Sequence, residues 1–446
     1  MKKNINNKKV VARVVIEAAT PLSISSGSNN VMTDDLILTD VNGLPYIPGT
    51  TICGVIRHAV DPKNETPVYR QIFGFHDSKD GGLGSRFLIS NALLVGEDGQ
   101  VVEKLQSNLN SDFYTKMRNL PIRQHVCIGD KGATMSTGKF DQQVIYKGTR
   151  FAFEMELVVS DNHQLDDFNA LLSVLQSATF RLGGGSTKGY GEVKVISLKK
   201  LTFDLTQPDQ LKQYIHKTSS LNDALWNNIA DEKLEDGNLE GWDKYELHLK
   251  AKDYFIFGSG LASDEYDADS TSVKEDMIVW SNNKPNFINA LTLIPASSVK
   301  GAIRHRTEYW YRKATKRFDV NDEVTELNQL FGSAEGSGLS KGKILIGDFI
   351  YSENRPDKLF NHVKIDRFTG GAIDGALFSE AVTETAEEAH LTILIDSSID
   401  DKVKEAFEKS LRQICLGQLP LGGATNHGHG IFKGKLFINS QEHQLS

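Results

Sequence analysis

Leu182-Gly-Gly-Gly-Ser-Thr-Lys-Gly-Tyr-Gly191 returns later in the same chain as Leu421-Gly-Gly-Ala-Thr-Asn-His-Gly-His-Gly430. Upstream of the two copies, Phe168, Leu172 and Leu175 match Phe407, Leu411 and Ile414 at the same spacing and without a gap. Further out, Ile47-Pro-Gly-Thr-Thr-Ile-Cys-Gly-Val-Ile-Arg-His58 pairs with Ile294-Pro-Ala-Ser-Ser-Val-Lys-Gly-Ala-Ile-Arg-His305, and Ile72-Phe-Gly74 with Leu330-Phe-Gly332. The apolar runs Phe87–Leu94 and Ile344–Ile350 follow each Phe-Gly in the same order. Two copies are too few for a solenoid, whose repeats share one continuous core. A duplicated domain fits instead: a first domain over 1–200, an acidic connector over 201–243 and a second domain over 244–446.

Each copy reads as the same series of elements. A strand opens it, Val10 to Ser25 in the first and Tyr245 to Phe257 in the second. Tyr245, Leu247, Leu249 and Ala251 alternate with Glu246, His248, Lys250 and Lys252, the period of a strand with one buried face. A short helix follows, with Thr50 or Ser297 as the expected N-cap and Ile52, Val55, Ile56 and Ala59 at helical spacing. Residues 105–150 and 355–388, rich in turn signals, read as an insertion projecting from the sheet. A further strand, a second helix near 165–181 and 402–416, the glycine loop and a last strand (Gly191–Leu198; Gly430–Ile438) complete each copy. The order βαβ, insertion, βαβ predicts an α+β class: two tandem ferredoxin-like (RRM-like) domains, each with helices on one sheet face and the other face open to a partner.

The chain has 446 residues, 39% of them hydrophobic and 24% charged, which is ordinary globular composition for two or three domains. No apolar run is long enough to span a bilayer, and the polar start is unlike a signal peptide. Three scattered cysteines, Cys53, Cys127 and Cys415, suit a reducing compartment. A cytoplasmic protein with no membrane partner is expected. The net charge of −8 argues against a nucleic-acid partner, but the charge is unevenly spread. Residues 118–150 hold six Lys or Arg against two acids, whereas 204–243 hold nine acids against three bases, and local fields outweigh the sum.

The Ile-Pro-Gly-Thr-Thr segment, the Phe-Gly turn and the Gly-Gly-Gly-Ser-Thr-Lys-Gly-Tyr-Gly-Glu-Val loop together resemble the RAMP superfamily of CRISPR-associated proteins, and within it the backbone subunits of type III effector complexes. Ile365-Asp-Arg-Phe-Thr-Gly-Gly-Ala-Ile-Asp-Gly-Ala-Leu-Phe378 is similar to the thumb of those subunits, and Ile122–Ala133 keeps a shadow of it. Two such domains in one polypeptide resemble the fused double backbone subunit of variant type III-D systems. The resemblance implies a guide RNA, a complementary target RNA and other RAMP-type subunits as partners.

Residue chemistry suits these partners. Glycines in the loop allow backbone N–H groups to approach a phosphodiester, so Gly184, Gly185, Ser186, Lys188 and Tyr190 in one copy, and Gly423, Thr425, Asn426, His427 and His429 in the other, are candidate RNA contacts; a plain tight turn explains the glycines equally well. His427-Gly-His429 offers two imidazoles with no third ligand nearby in sequence, so no metal is expected there. Neither loop is a P-loop or a dinucleotide fingerprint. At the helix starts, Thr50, Thr51 and Gly54, and Ser297, Ser298 and Lys300, could receive an anion, with Arg57 and Arg304 as backbone clamps or structural ion pairs. Arg123, His125 and Lys131 in one thumb and Arg367 in the other would hold RNA. Ile122, Met135, Ile365 and Leu377 are apolar wedges able to unstack a base step.

The resemblance also implies an acid in the loop after the first strand that cuts target RNA. Here that position falls on Asp34, with Asp35 beside it; Asp34 could hold Mg²⁺ (or Mn²⁺) near the scissile phosphate. In the second copy Lys274-Glu275-Asp276-Met-Ile-Val279 aligns with Thr33–Leu38 and nominates Glu275 or Asp276, while the loop before it holds Asp264, Glu265, Asp267 and Asp269. Two rival readings remain open: an RNA-binding scaffold that cuts nothing, and a metal-free guide-processing endoribonuclease using His58, His125 or His427 as base.

Overall fold

The computed structural model describes residues 7–30, 33–63, 65–77, 81–129, 134–159, 163–233, 237, 239–260, 268–319, 324–333, 340–353 and 357–445. In the first domain, strand Lys8–Ala18 lies between Arg150–Val159 and Val193–Asp204, antiparallel to both, and Phe87–Ile89 pairs with the outer edge of Arg150–Val159. Counted along the chain, the order across the sheet is fourth, first, third, second. The β-branched run Val10, Val11, Val14, Val15, Ile16 favours the central strand. Helices Gly49–Val60 and His163–Val174 bury Ile52, Ile56, Phe168 and Leu171 against one face.

The second domain repeats the order with Phe432–Ile438, Trp242–Ala251, Ala389–Asp396 and Ile344–Ile346, extended at one edge by Gln441–His443. Its helices are Ala296–Thr315 and Asp401–Cys415. The alternation read in the sequence holds, with Tyr245, Leu247 and Leu249 fully buried. Both domains are ferredoxin-like. The helix entries differ from expectation: Pro48 and Pro295, not Thr50 and Ser297, precede the first helical residue. Proline has no N–H to satisfy there. The first helical N–H groups donate instead to side chains from the link between two short strands, Gly49 to Asn91 Oδ1 at 3.0 Å and Ala296 to Asp348 Oδ1 at 2.7 Å.

Each insertion is a two-stranded thumb between the second and third sheet strands: Ile122–Ile128 with Thr134–Gln143, and Lys358–Ile365 with Ala372–Val382. Two expectations are corrected. The last strand of the first domain runs on to Asp204, and the segment after it packs over the sheet face expected to be open. Trp226 and Leu221 are buried there, with the Arg13 guanidinium 5.0 Å from the Trp226 ring and donating to Ser220 O at 2.7 Å. Second, residues 274–294 form a hairpin, Lys274–Ser281 with Lys284–Ile294, that reaches into the first domain. Ile278 N donates to Lys147 O at 2.9 Å, Trp280 Nε1 donates to Gly148 O at 2.7 Å, and the Phe287 ring meets Tyr146 and Phe113 at 5.2 and 6.1 Å. Ile278 is therefore part of the first domain's core.

Candidate nucleic-acid interface

The loop after the first strand is stitched to the thumb. Asp34 N donates to Asp141 O at 3.2 Å, and Asp141 N donates to Asp34 Oδ2 at 2.9 Å. The next residue, Asp35, bridges Gln142, and its carboxylate accepts from Ser25 Oγ and, at 3.1 Å, from Gln142 Nε2. Asp34 is exposed and Asp35 partly so.

The same stitch occurs in the second domain, made by Asp269. Its N–H donates to Ser379 O at 3.1 Å, and Ser379 N donates to Asp269 Oδ2 at 2.8 Å; Ser270 then pairs with Glu380 as Asp35 does with Gln142. Flanking bonds fix the register: Ser26 N to Leu36 O matches Ser259 N to Thr271 O, and Leu38 N to Ile24 O matches Val273 N to Phe257 O. Asp269, exposed like Asp34, is thus the spatial counterpart of Asp34.

Glu275 and Asp276, nominated by sequence alignment, lie elsewhere. Glu275 is buried and grips Arg123 of the first thumb through both carboxylate oxygens. Asp276 accepts from Lys116 Nζ at 2.9 Å and from Ala290 N at 2.9 Å. Both belong to the seam between domains, so neither is an open acid. The error has a simple origin: the apolar run Met277–Val279 belongs to the hairpin over 274–294, whereas the counterpart of Leu36–Leu38 is Thr271–Val273, so counting back from the wrong run shifted the alignment by six residues. Counting forward from Ser26 and Ser259 also misses it and falls on Asp267, because the loop of the second copy is two residues longer. Asp264, Glu265 and Asp267 lie outside the described residues.

Arg123 is not an RNA contact either. It also donates to Asp348 Oδ2 at 2.6 Å and sits over the Tyr190 ring at 5.0 Å. Desolvation opposes its charge, but two facing carboxylates hold its pKa above that of an ordinary guanidinium. His125 stacks on Phe140, 4.7 Å between rings, and its Nε2 meets Tyr190 OH at 2.9 Å. Tyr190 is fully buried, His125 and Ser186 nearly so, which removes all three from any RNA surface. Lys131 lies outside the described residues. Arg367 is exposed at the tip of the second thumb, in a turn where Asp366 Oδ1 accepts from Phe368 N and Thr369 N at 2.9 and 2.7 Å.

Other candidates remain on the surface. Thr50, Gly54, Ser298 and Arg304 are exposed, Thr51, Arg57, Ser297 and Lys300 partly buried. A Cβ at Gly54 or Gly301 would meet nothing within 4 Å, so both helices present an open flank. Of the glycine loops, Gly184, Gly423, Thr425, Asn426 and His427 are exposed, while Gly185 and His429 are turned inward. Gly185 has φ of +70° and faces the Tyr190 ring, so a tight turn accounts for that glycine.

The first glycine loop abuts the second domain's helix start. A Cβ on Gly189, φ +106°, would reach the Ala296 Cβ at 2.8 Å and collide with the Asp348 carboxylate. Lys300 Nζ donates to Thr187 Oγ1 at 3.1 Å. Burial, then Lys188, then Arg304 push the Lys300 pKa down to about 8. Burial also lowers that of Lys188. Cations gathered at the junction of a glycine loop and a helix start, with Lys188 and Arg304 both disfavouring the charge on Lys300, are suited to an anion.

Exposed apolar side chains line both thumbs: Ile122, Val126 and Ile128 on the first, and Val363, Ile365 and Leu377 on the second, where Phe368 is 93% exposed. The side chain of Met135 lies outside the description. No helix among the described residues is long and apolar enough to cross a membrane.

Two ferredoxin-like domains in tandem, each with a thumb stitched to an acid loop and a glycine loop after its second helix, define a duplicated sheet-and-thumb architecture. The chain belongs to the RAMP superfamily, whose family description matches residues 15–194 and 284–433, one stretch in each domain. It is accordingly a CRISPR-associated, RNA-binding subunit of the kind that works in multi-subunit complexes. No curated protein matches the chain at a significant level.

Proposed function

We propose that the chain is a double backbone subunit of a type III CRISPR ribonucleoprotein that holds guide RNA and cuts guide-paired target RNA at two sites. The observation that carries this reading is the duplicated acid loop: Asp34 and Asp269 are exposed carboxylates fastened to their thumbs by the same two hydrogen bonds, one donated by the acid's backbone N–H and one accepted by its Oδ2. Apolar thumb side chains would unstack a base step of the guide–target duplex, and the kinked target strand would pass the acid beside each thumb.

Mg²⁺ commonly binds proteins through one or two carboxylates and completes its shell with water and phosphate oxygens. Asp34 and Asp269 each hold the thumb through one oxygen, Oδ2, which in Asp269 also accepts from Ser379 Oγ at 3.1 Å, and a carboxylate anchored through one oxygen fits that mode. Mg²⁺ would supply charge neutralisation at the scissile phosphate. The protein's part is to orient the acid and the strand. Guide RNA would lie along the flanks opened by Gly54 and Gly301, with Lys188, Lys300 and Arg304 on its phosphates.

The test is cleavage of an end-labelled complementary RNA by the assembled complex, with Mg²⁺ or chelator. Asp34→Ala and Asp269→Ala should each remove one of two regularly spaced cuts, leave guide binding unchanged, and together abolish cleavage. Cleavage that persists in the double variant, or in chelator, would overturn the reading.

A further inference from the structure

The second domain carries an imidazole–carboxylate cluster where thumb and glycine loop meet. Glu380, buried on the inner thumb strand, has His362 Nε2 3.2 Å from its Oε2, His427 Nδ1 3.4 Å from its Oε1 and His429 Nε2 3.8 Å from its Oε2. Donor atoms of His362, Glu380 and His427 all lie within 4.8 Å of one another. His362 Nε2 and His429 Nε2 are buried atoms that make no hydrogen bond, although the carboxylate is close by. Buried polar atoms left so are rare and call for a cause.

We propose that His362, Glu380 and His427 bind a transition-metal ion of the Zn²⁺ class, with His429 beside the fourth position. Imidazole nitrogens with one carboxylate form a donor set for Zn²⁺ and its neighbours in the series, and are poorly matched to Mg²⁺. A tetrahedral ion with metal–nitrogen bonds of about 2.0–2.1 Å keeps its ligand atoms roughly 3.3 Å apart. Glu380 Oε2 lies 3.2 Å from His362 Nε2 and 3.4 Å from His427 Nδ1, which agrees with that. The sequence rejected a metal at His427-Gly-His429 for want of a third ligand; the fold supplies two from the thumb, 47 residues or more upstream.

The first domain is an internal control. By strand register His125 stands at the place of His362 and Gln142 at that of Glu380; Lys188 and Tyr190 replace His427 and His429 in the loop. His125 stacks on Phe140 as His362 does on Phe378, at 4.7 and 4.8 Å. There the thumb is tied to the loop by the Tyr190–His125 hydrogen bond, and no metal set remains. In the second domain the ion would make that tie. The site adjoins the acid loop, since Glu380 follows the Ser379 that anchors Asp269, but its test uses no RNA.

The experiment is calorimetric titration of ZnCl₂ into the untagged, chelator-stripped full chain carrying His390→Ala, because the more exposed trio His248, Glu388, His390 offers competing donors. One equivalent should bind, and Co²⁺ in its place should give the strong visible ligand-field band of a four-coordinate ion. His362→Ala and Glu380→Gln should each weaken binding about 100-fold or more, since loss of outer-shell partners alone costs about 10–100-fold. Glu380→Gln installs the residue the first domain already folds with at that place, so it tests ligation without a gross packing change. His125→Ala should leave the isotherm unmoved. No one-equivalent binding in the His390→Ala chain, or binding that survives both thumb substitutions, overturns the proposal.

Discussion

His125 shows how far one buried side chain can be pushed by its surroundings. Burial first, then the charges of Lys188 and Arg123, lower its pKa from 6.5 to about 4. The folded state therefore resists a proton that the unfolded chain takes up near 6.5, so the stabilisation is present above that pH and is lost as pH falls towards about 4. The amount at stake is about 3 kcal/mol. Urea midpoints of the first-domain transition should drop over this range and drop less in His125→Gln; an identical pH profile would remove His125 from the account. At this scale the sequence revealed residue types better than roles. Lys188, Thr50 and Gly54 could be singled out because a repeat set them beside counterparts, and the fold leaves Thr50 and Gly54 exposed and Lys188 partly buried. Tyr190 and Arg123 were misread because only the fold shows that they point inward.

Elements were legible where their partners were local. The central strands, both helices and the glycine loops of each copy were placed in the right order, since apolar periodicity reports a face buried within one domain, but their ends were not: the first strand stops at Ala18 rather than Ser25, the first domain's second helix at Val174 rather than 181, and the helix expected to be short in the second copy runs from Ala296 to Thr315. The hairpin over 274–294 was missed because half of what it packs on belongs to the other domain. The clamp at its base can be tested. Arg123→Ala leaves Glu275 and Asp348 facing each other in a buried pocket without their cation, and breaking such a set costs about 3–5 kcal/mol. Chemical denaturation should show that loss, and limited proteolysis should open the seam between thumb and hairpin; a variant as stable as the parent would mean that the surrounding apolar contacts hold the seam alone.

Across the whole molecule, a net charge of −8 coexists with a cationic junction of Lys188, Lys300 and Arg304 between the domains. Binding of a labelled guide RNA should therefore depend on salt despite the acidic total. Lys300→Ala should reduce the slope of log K against log salt by about 0.7 if it neutralises one phosphate of a single strand. An unchanged slope would move the contact elsewhere. Ligand chemistry of this kind was only partly visible in the sequence, because the junction is assembled from a loop and a helix more than a hundred residues apart.

That junction also has a direction. The glycine loop of the first domain rests on the helix start of the second, while the equivalent loop of the second, Thr425 to His427, and the equivalent helix start of the first, Thr50, are both exposed. The two ends of the chain thus carry the unmatched halves of a contact already made once inside it. A head-to-tail contact of this sort does not close on itself unless the rotation happens to return. Copies joined by the same step would lay down a screw, with one acid loop per domain as its thread mark and a length set by whatever caps the last exposed half.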